Sequence, residues 1–272
     1  LIEINKMKPK IHFITYCDSR KYTVSKKHIL GLAKQSNFFD SCFAYSQNNL
    51  SLDFRLKYKN ILKQERGGGY YLWKPWIIYN SLRDVRSNDF LVYADAGSTF
   101  NYYGKTRFYD YIEMLDVSDY GNLRFENPKN YIEKEWTSKE LFEYFNIQLD
   151  SKIANSPQLM GGHIIFQNNK HTHEYLESFF EVIDFDEKLI TDYYLDSSIK
   201  GFQENRHDQS IFSLLSKKIG GVILENETFF EKNSKKQKDY PFLSVRHYGH
   251  GKIDRIKYFI NYKNVNKSPI YF

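Results

Sequence analysis

Four short stretches bring together side chains able to do chemistry. The first is DFLVYADAGSTFN, residues 89–101, an apolar run that ends on Asp95. A carboxylate at the end of a buried strand can hold a hard divalent cation whose shell is completed by phosphates, and Gly97 lets the backbone bend close to such a ligand. The alternative is a carboxylate that caps the next turn through Ser98 or Thr99. The second stretch, HYGHGK at 247–252, sets two imidazoles beside glycines and a lysine. His247 could complete a metal shell begun by Asp95, and Lys252 could neutralise a diphosphate oxygen. The third, ENRHDQS at 204–210, places Asp208 and Gln209 at a helix start. Asp208 there is either an N-cap or a group that accepts sugar hydroxyls or acts as a general base, with Gln209 hydrogen-bonding the same ring. The fourth, GGGYYLWKPW at 67–76, flanks Lys74 and Pro75 with Trp73 and Trp76. The two indoles can wall a pocket in which Lys74 meets a phosphate or a hydroxyl; an aromatic helix packed in the core is the plainer reading. The glycine spacing and the missing GKS or GKT ending exclude a phosphate loop.

These groups need a scaffold. IHFITY at 11–16 reads as a strand, followed by a helix over about Ser25 to Gln35 and a short strand over Phe43 to Tyr45. The spacing then predicts a helix over Leu52 to Gln64 and another, with Pro75 in its first turn, running to about Leu82 before the strand that ends at Asp95. Helical pieces are expected at Phe108 to Leu115 and Ser138 to Phe145, and a strand entered through Gly161 and Gly162. A helix opening at Asp208, stopped by Gly220 and Gly221, leads to a last strand, VIL. Strands alternating with helices predict an α/β sandwich with a mainly parallel sheet, whose ligands sit at the carboxyl ends of the strands.

The 272 residues can bury a full core, and no repeat or linker divides them, so one domain is expected. The 23 Tyr and 22 Phe make an aromatic share of 18%, which suits a surface that binds sugars or bases. A net charge of +6 favours anionic partners, yet the basic residues are scattered in clusters no longer than Lys26-Lys27, which argues against a nucleic-acid arm. Two cysteines without metal-like spacing point to a reduced, cytoplasmic setting. The same expectation follows from the lack of a leader-like opening and of an apolar run long enough to span a membrane.

The segments RGGGYYLWKP (Arg66 to Pro75), YADAG (Tyr93 to Gly97), GGHIIF (Gly161 to Phe166) and ENRHDQSIF (Glu204 to Phe212), in this order, resemble bacterial and large-virus glycosyltransferases of the A-type, Rossmann-like fold. The layout is also distantly similar to glycosyltransferase family 8. This resemblance implies a nucleotide-binding half over about 10–100, an acceptor and sugar half over about 101–250, and a tail over about 251–272. It implies Mn2+ or Mg2+ held by Asp95 and His247, with Lys252 on the diphosphate. Gly97 stands where that family has a second Asp. It further implies Thr15, Tyr16 and Asp18 at the base and ribose, Arg66, Trp73 and Lys74 among the donor-binding residues, Gly161, Gly162 and His163 at the donor sugar, and Asp208 with Gln209 facing that sugar.

The expected activity is transfer of a hexose from a UDP-type donor to a hydroxyl of a surface polysaccharide or lipopolysaccharide acceptor, with no nucleic acid as partner. Two other readings stay open: a non-catalytic binder of anionic glycan or nucleic acid, and a metal-dependent nucleotidyltransferase. The basic, aromatic end KIDRIKYFINYKNVNKSPIYF either rests on an anionic membrane face or is a plain terminal helix and tail.

Overall fold

A computed structural model describes residues 8–18, 22–195, 198–229 and 238–244. Strand β1 (Ile11–Tyr16) leads through helix α1 (Thr23–Ser36) to β2 (Ser41–Tyr45). Short helices α2 (Leu52–Lys57) and α3 (Lys59–Leu62), the turn α4 (Gly67–Tyr70) and helix α5 (Trp73–Arg83) precede β3 (Phe90–Ala94). Then follow β4 (Thr99–Phe100), α6 (Lys105–Asp116), β5 (Asn122–Phe125), α7 (Lys139–Tyr144), β6 (His163–Gln167), α8 (Lys170–Phe185), α9 (Asp208–Ile219), β7 (Val222–Leu224) and β8 (Phe242–Leu243).

Six strands form one sheet in the order β2-β1-β3-β6-β5-β7. β1 pairs in parallel with β2 and β3, and β5 with β7, whereas β6 runs antiparallel to both β3 and β5. The sheet is therefore mainly parallel with one reversed strand. Along β3 the side chains alternate between two cores: Leu91 and Tyr93 pack with α5, α8 and α9, while Phe90, Val92 and Ala94 pack with α1 and α6. Both faces are thus covered, and every residue of β3 is buried, which explains its unbroken apolar run. β4 and β8 make a separate antiparallel pair, which brings residues 242–243 alongside the chain that leaves β3.

Two expectations need correction. The helix expected over Leu52 to Gln64 is broken at Tyr58 (φ −107°, ψ 28°), whose hydroxyl donates to Asp184 at 2.8 Å. The aromatic share is divided between core and surface: Phe13, Phe90, Phe100, Phe108, Phe125, Phe142, Phe166 and Phe179, with Tyr93, Tyr111 and Tyr175, are fully buried, while Phe43, Tyr103, Tyr193 and Phe229 are exposed. Cys17 is buried and Cys42 half-buried. Among the described residues no helix is long and apolar enough to cross a membrane.

Candidate active site

β3 delivers Asp95 to the carboxyl end of the parallel strands. The turn that follows is closed by main chain, with Ser98 N–H donating to the Asp95 carbonyl at 2.9 Å, so the side chain is not consumed as a turn cap. Instead its Oδ1 accepts from the Tyr93 hydroxyl at 2.6 Å and lies 3.6 Å from the Lys74 ammonium, with 48% of the side chain exposed. β6 begins where β3 ends, because it runs the other way; Ala94 faces His163 in the register, and Asp95 N–H donates to the Gly162 carbonyl at 2.9 Å. The approach is close here: a Cβ on Gly162 would stand 3.2 Å from Asp95 Oδ2, tight enough that the carboxylate would have to give by a few tenths of an ångström.

Lys74 enters from the first turn of α5. Its ammonium is 2.6 Å from Asp208 Oδ2, donates to the Gly161 carbonyl at 3.0 Å, and is ringed by Tyr93, Tyr71 and Trp73 at 5.0, 5.4 and 5.9 Å from their centroids. Burial pulls its pKa down, but Asp208 and Asp95 outweigh burial and hold it above the ordinary lysine value. The residue that caps α9 is His207, and Asp208 is the first helical position, so the N-cap reading of Asp208 is overturned. The helix dipole favours a carboxylate at that place, yet burial pushes Asp208 up to about 6 against the pull of Lys74. Two carboxylates and one ammonium leave the cluster with a net negative charge, half-open to solvent only at Asp95.

The backbone around this cluster is held away from ordinary conformations. Residues 67–71 all have positive φ: Gly67 (59°), Gly68 (60°), Gly69 (93°), Tyr70 (51°) and Tyr71 (63°), which makes a left-handed turn. Gly69 cannot be replaced there, because a Cβ would meet the Leu62 Cα at 2.7 Å. The Trp73 indole N–H donates to the Gly67 carbonyl at 2.8 Å and ties the turn to α5. His207 sits at φ 55°, ψ −121°, a region that glycine prefers. Each such non-glycine residue costs on the order of 1–3 kcal/mol, and strain of this kind concentrates at functional sites.

The remaining expected residues are placed as follows. Gln209 uses its amide internally, accepting from Gly161 N–H at 3.1 Å and donating to Gln158 Oε1 at 2.6 Å, so it braces the glycine pair. Thr15 is wholly buried. Tyr16 stacks on Trp73 with ring centroids 3.8 Å apart, and burial raises its phenol pKa. Asp18 accepts from Gln47 N–H at 3.2 Å in an exposed loop. Arg66 spans Asp192 at 3.2 Å and Glu204 at 2.5 Å. The His163 side chain packs on Phe242, 5.3 Å between centroids, and reaches Ser244 Oγ at 3.3 Å; burial lowers its pKa to about 4. His247 and Lys252 lie outside the described residues, as does the tail over 251–272. The structure therefore joins Lys74, Asp95, Gly161, Gly162, Asp208 and Gln209, and leaves Asp18 and Arg66 engaged with other partners. Sequence reasoning missed Tyr93, Gln158 and the imidazole of His207. Only the alternation of β3, which sets Tyr93 two residues before Asp95, carried a signal for any of them.

Among the described residues no three His, Cys, Asp or Glu side chains gather as a metal group. The Lys74 ammonium stands between the two carboxylates, so of this set Asp95 alone faces outward as a ligand. The described residues do not by themselves make a site for a divalent cation.

Fold and site together define a mixed α/β protein with a mainly parallel sheet flanked by helices and an acidic, lysine-centred cluster at the carboxyl end of its strands. No family model matches the chain, and no curated protein matches it by sequence. Solved structures similar to it include a glycosyltransferase involved in the glycosylation of the major capsid of PBCV-1, at 12% identity and TM-score 0.48, over 94% of this chain and 100% of that one. Mouse xyloside xylosyltransferase 1 in its apo form is similar at 8% identity and TM-score 0.46, over 80% of this chain and 85% of that one. The galactosyltransferase LgtC in complex with donor and acceptor sugar analogs is similar at 10% identity and TM-score 0.38, over 79% and 73%. At these values the likeness assigns no residue a role.

Proposed function

We propose that this chain is a glycosyltransferase that moves a hexose from a nucleotide-diphosphate donor, a UDP-sugar, to a hydroxyl of a surface polysaccharide or lipopolysaccharide acceptor. The observation that carries the reading is the convergence of Asp95, Lys74, Gly161, Gly162 and Asp208, from four separate parts of the chain, at the carboxyl end of the sheet. The order of the four motifs supports the same reading.

The chemistry follows from charge and reach. Asp95, half-exposed, accepts hydrogen bonds from hydroxyls of the donor. Gly162 leaves room for the ring to approach that carboxylate. As the bond between the anomeric carbon and the phosphate oxygen breaks, its electron pair leaves with the diphosphate and the sugar becomes cation-like. A fixed net negative charge beneath the ring stabilises that species more than the neutral ground state. Lys74 holds both carboxylates in place and keeps Asp208 largely ionised near neutrality, since the opposing effect of burial stops at about 6. For an inverting transfer Asp208 is the base that takes the acceptor proton as the new C–O bond forms, and a pKa near the working pH suits that role.

Thermal-shift screening of nucleotide sugars, with and without manganese, tests the reading. A UDP-hexose should raise the melting temperature and be slowly hydrolysed, and Asp95→Asn should diminish both effects. Failure of every nucleotide sugar to bind the intact chain removes the proposal.

A further inference from the structure

We propose that His207 is a positioning residue: its ring forces the backbone before α9 into a glycine-like conformation, and that conformation is what aims Asp208 at Lys74. The chemistry it serves rests on the glycosyl-transfer reading above; the positioning itself does not.

The argument begins with the geometry of one residue. At φ 55°, ψ −121° a side chain is disfavoured, so something must hold His207 there. Two contacts do so from two directions. Nδ1–H donates to the Ile190 carbonyl at 2.9 Å. Nε2, which carries no hydrogen in this neutral tautomer, stands 3.7 Å from Asp192 and makes no hydrogen bond to it; Asp192 is held by Arg66 at 3.2 Å. The ring lies against Tyr70 at 4.8 Å and Tyr71 at 6.2 Å between centroids. Tyr70 and Tyr71 are the two non-glycine members of the left-handed turn, and Lys74 follows three residues after Tyr71.

The two strained segments thus face each other through a ring contact, and each emits one member of the buried ion pair. The left-handed turn emits Lys74, and the His207 kink emits Asp208. A change of ψ at His207 rotates the whole first turn of α9, which would swing the Asp208 carboxylate away from an ammonium now 2.6 Å distant. Arg66 starts the turn and grips Asp192 and Glu204 at 3.2 and 2.5 Å, closing the same loop from the other side. His207 faces Asp192, Arg66 and Glu204 as its charged neighbours, and burial lowers its pKa to about 4, so it works as a neutral anchor.

Glycine separates this role from ordinary packing. His207→Ala and His207→Gly lose the same ring contacts and the same hydrogen bond to Ile190. They differ in that glycine adopts φ 55°, ψ −121° without strain, while alanine has nothing to keep it there. Two readouts are taken on the full chain: hydrolysis of a UDP-sugar, and the titration of the Asp208 carboxyl by carbon NMR, assigned by its loss in Asp208→Asn. For His207→Ala we expect at least a 30-fold fall in turnover and an Asp208 titration moved up, because the carboxyl loses the ammonium that opposes burial. For His207→Gly we expect turnover within about fivefold of the starting protein and an unmoved titration. Glycine equal to or worse than alanine in both readouts overturns the proposal.

A second pair of variants guards against a His207→Ala that does not fold. At Gly68 a Cβ would meet only the Trp73 Nε1, at 3.7 Å, so substitution there tests backbone angle and not space. Gly68→Asn, which tolerates left-handed φ, should keep the Asp208 titration, and Gly68→Val should raise it; equal titrations in these two remove the turn from the latch. If the starting protein hydrolyses no UDP-sugar, the glycosyl-transfer reading fails, and the titration still decides the positioning.

Discussion

Helix α9 carries a buried lysine–carboxylate pair near each end, and the two could hardly be used more differently. Near its carboxyl end Lys217 meets Glu133 Oε2 at 2.6 Å and donates to the Pro157 carbonyl at 2.7 Å. The wholly buried Glu133 also accepts from Thr137 at 2.8 Å and from Ser213, so both its oxygens are satisfied. That pair bolts the long connection between β5 and β6 to the helix. At the amino end, Asp208 meets Lys74 in a cluster that opens to solvent through Asp95, carries a surplus negative charge and is bordered by strained backbone. The first pair is saturated on ordinary backbone; the second is buried in an over-acidic cluster that borders strained segments and reaches solvent through Asp95, which is why we propose it, and not the first, as the ligand site.

The largest effect should come from exchanging the two lysines' fates. Lys217→Met leaves Glu133 buried without its cation and should cost about 3–5 kcal/mol in urea unfolding, with turnover per folded molecule almost unchanged. Lys74→Met should do the reverse, lowering UDP-sugar turnover on the order of 10²–10³-fold with a smaller stability loss, because Asp208 can take up a proton and Asp95 reaches water. Comparable stability losses in the two variants would erase the distinction.

Asp95→Asn comes next. It should weaken UDP-sugar binding about 10- to 100-fold, measured by calorimetry, while the melting temperature barely moves. Retained affinity would shift the donor contact to another residue.

Acid sharpens the comparison further. The folded state raises Asp208 to about 6 from 3.8, so its contribution to stability is complete below about 4 and disappears as pH rises through 6. His163 and His207 behave oppositely. Both are lowered from 6.5 to about 4 by burial, so their contributions are complete above 6.5 and vanish as pH falls through 4. Between pH 6 and 4 the aspartate therefore offsets part of the histidines' loss. Urea midpoints across that window should fall more steeply for Asp208→Asn than for the starting protein, and less steeply for His163→Gln. Parallel curves for all three would contradict these shifts.

Gly162→Ala should have the smallest effect, about a 3- to 10-fold loss in turnover with little change in stability, as the added methyl presses on Asp95 Oδ2 from 3.2 Å. An unchanged turnover would place the donor sugar elsewhere.

Much of this was legible in the chain. Periodicity located β1, α1, α5, β3, β6, α9 and β7 to within a few residues, because buried strands and amphipathic helices write their period into the apolar pattern. The break at Tyr58 was not legible, since the apolar period runs on through it; its hydroxyl meets Asp184, far along the chain. Lys74, Asp95, Gly161, Gly162 and Asp208 stood out as residue types. Their assignments to each other did not: Lys74 was expected at a phosphate or hydroxyl, and it is found on Asp208. Gln209 was expected on the sugar, and it is found bracing Gly161.

The amino-acid sequence by itself determined which side chains could do chemistry and that helices and strands would alternate around them, because those properties are local. Tertiary structure decided two further things. The reversal of β6 put Gly162 against Asp95, and the two strained segments turned Lys74 and Asp208 face to face. Distances of a few ångströms between residues 67 and 134 positions apart follow from strand direction and backbone angles summed over the whole chain, and no short stretch records that sum.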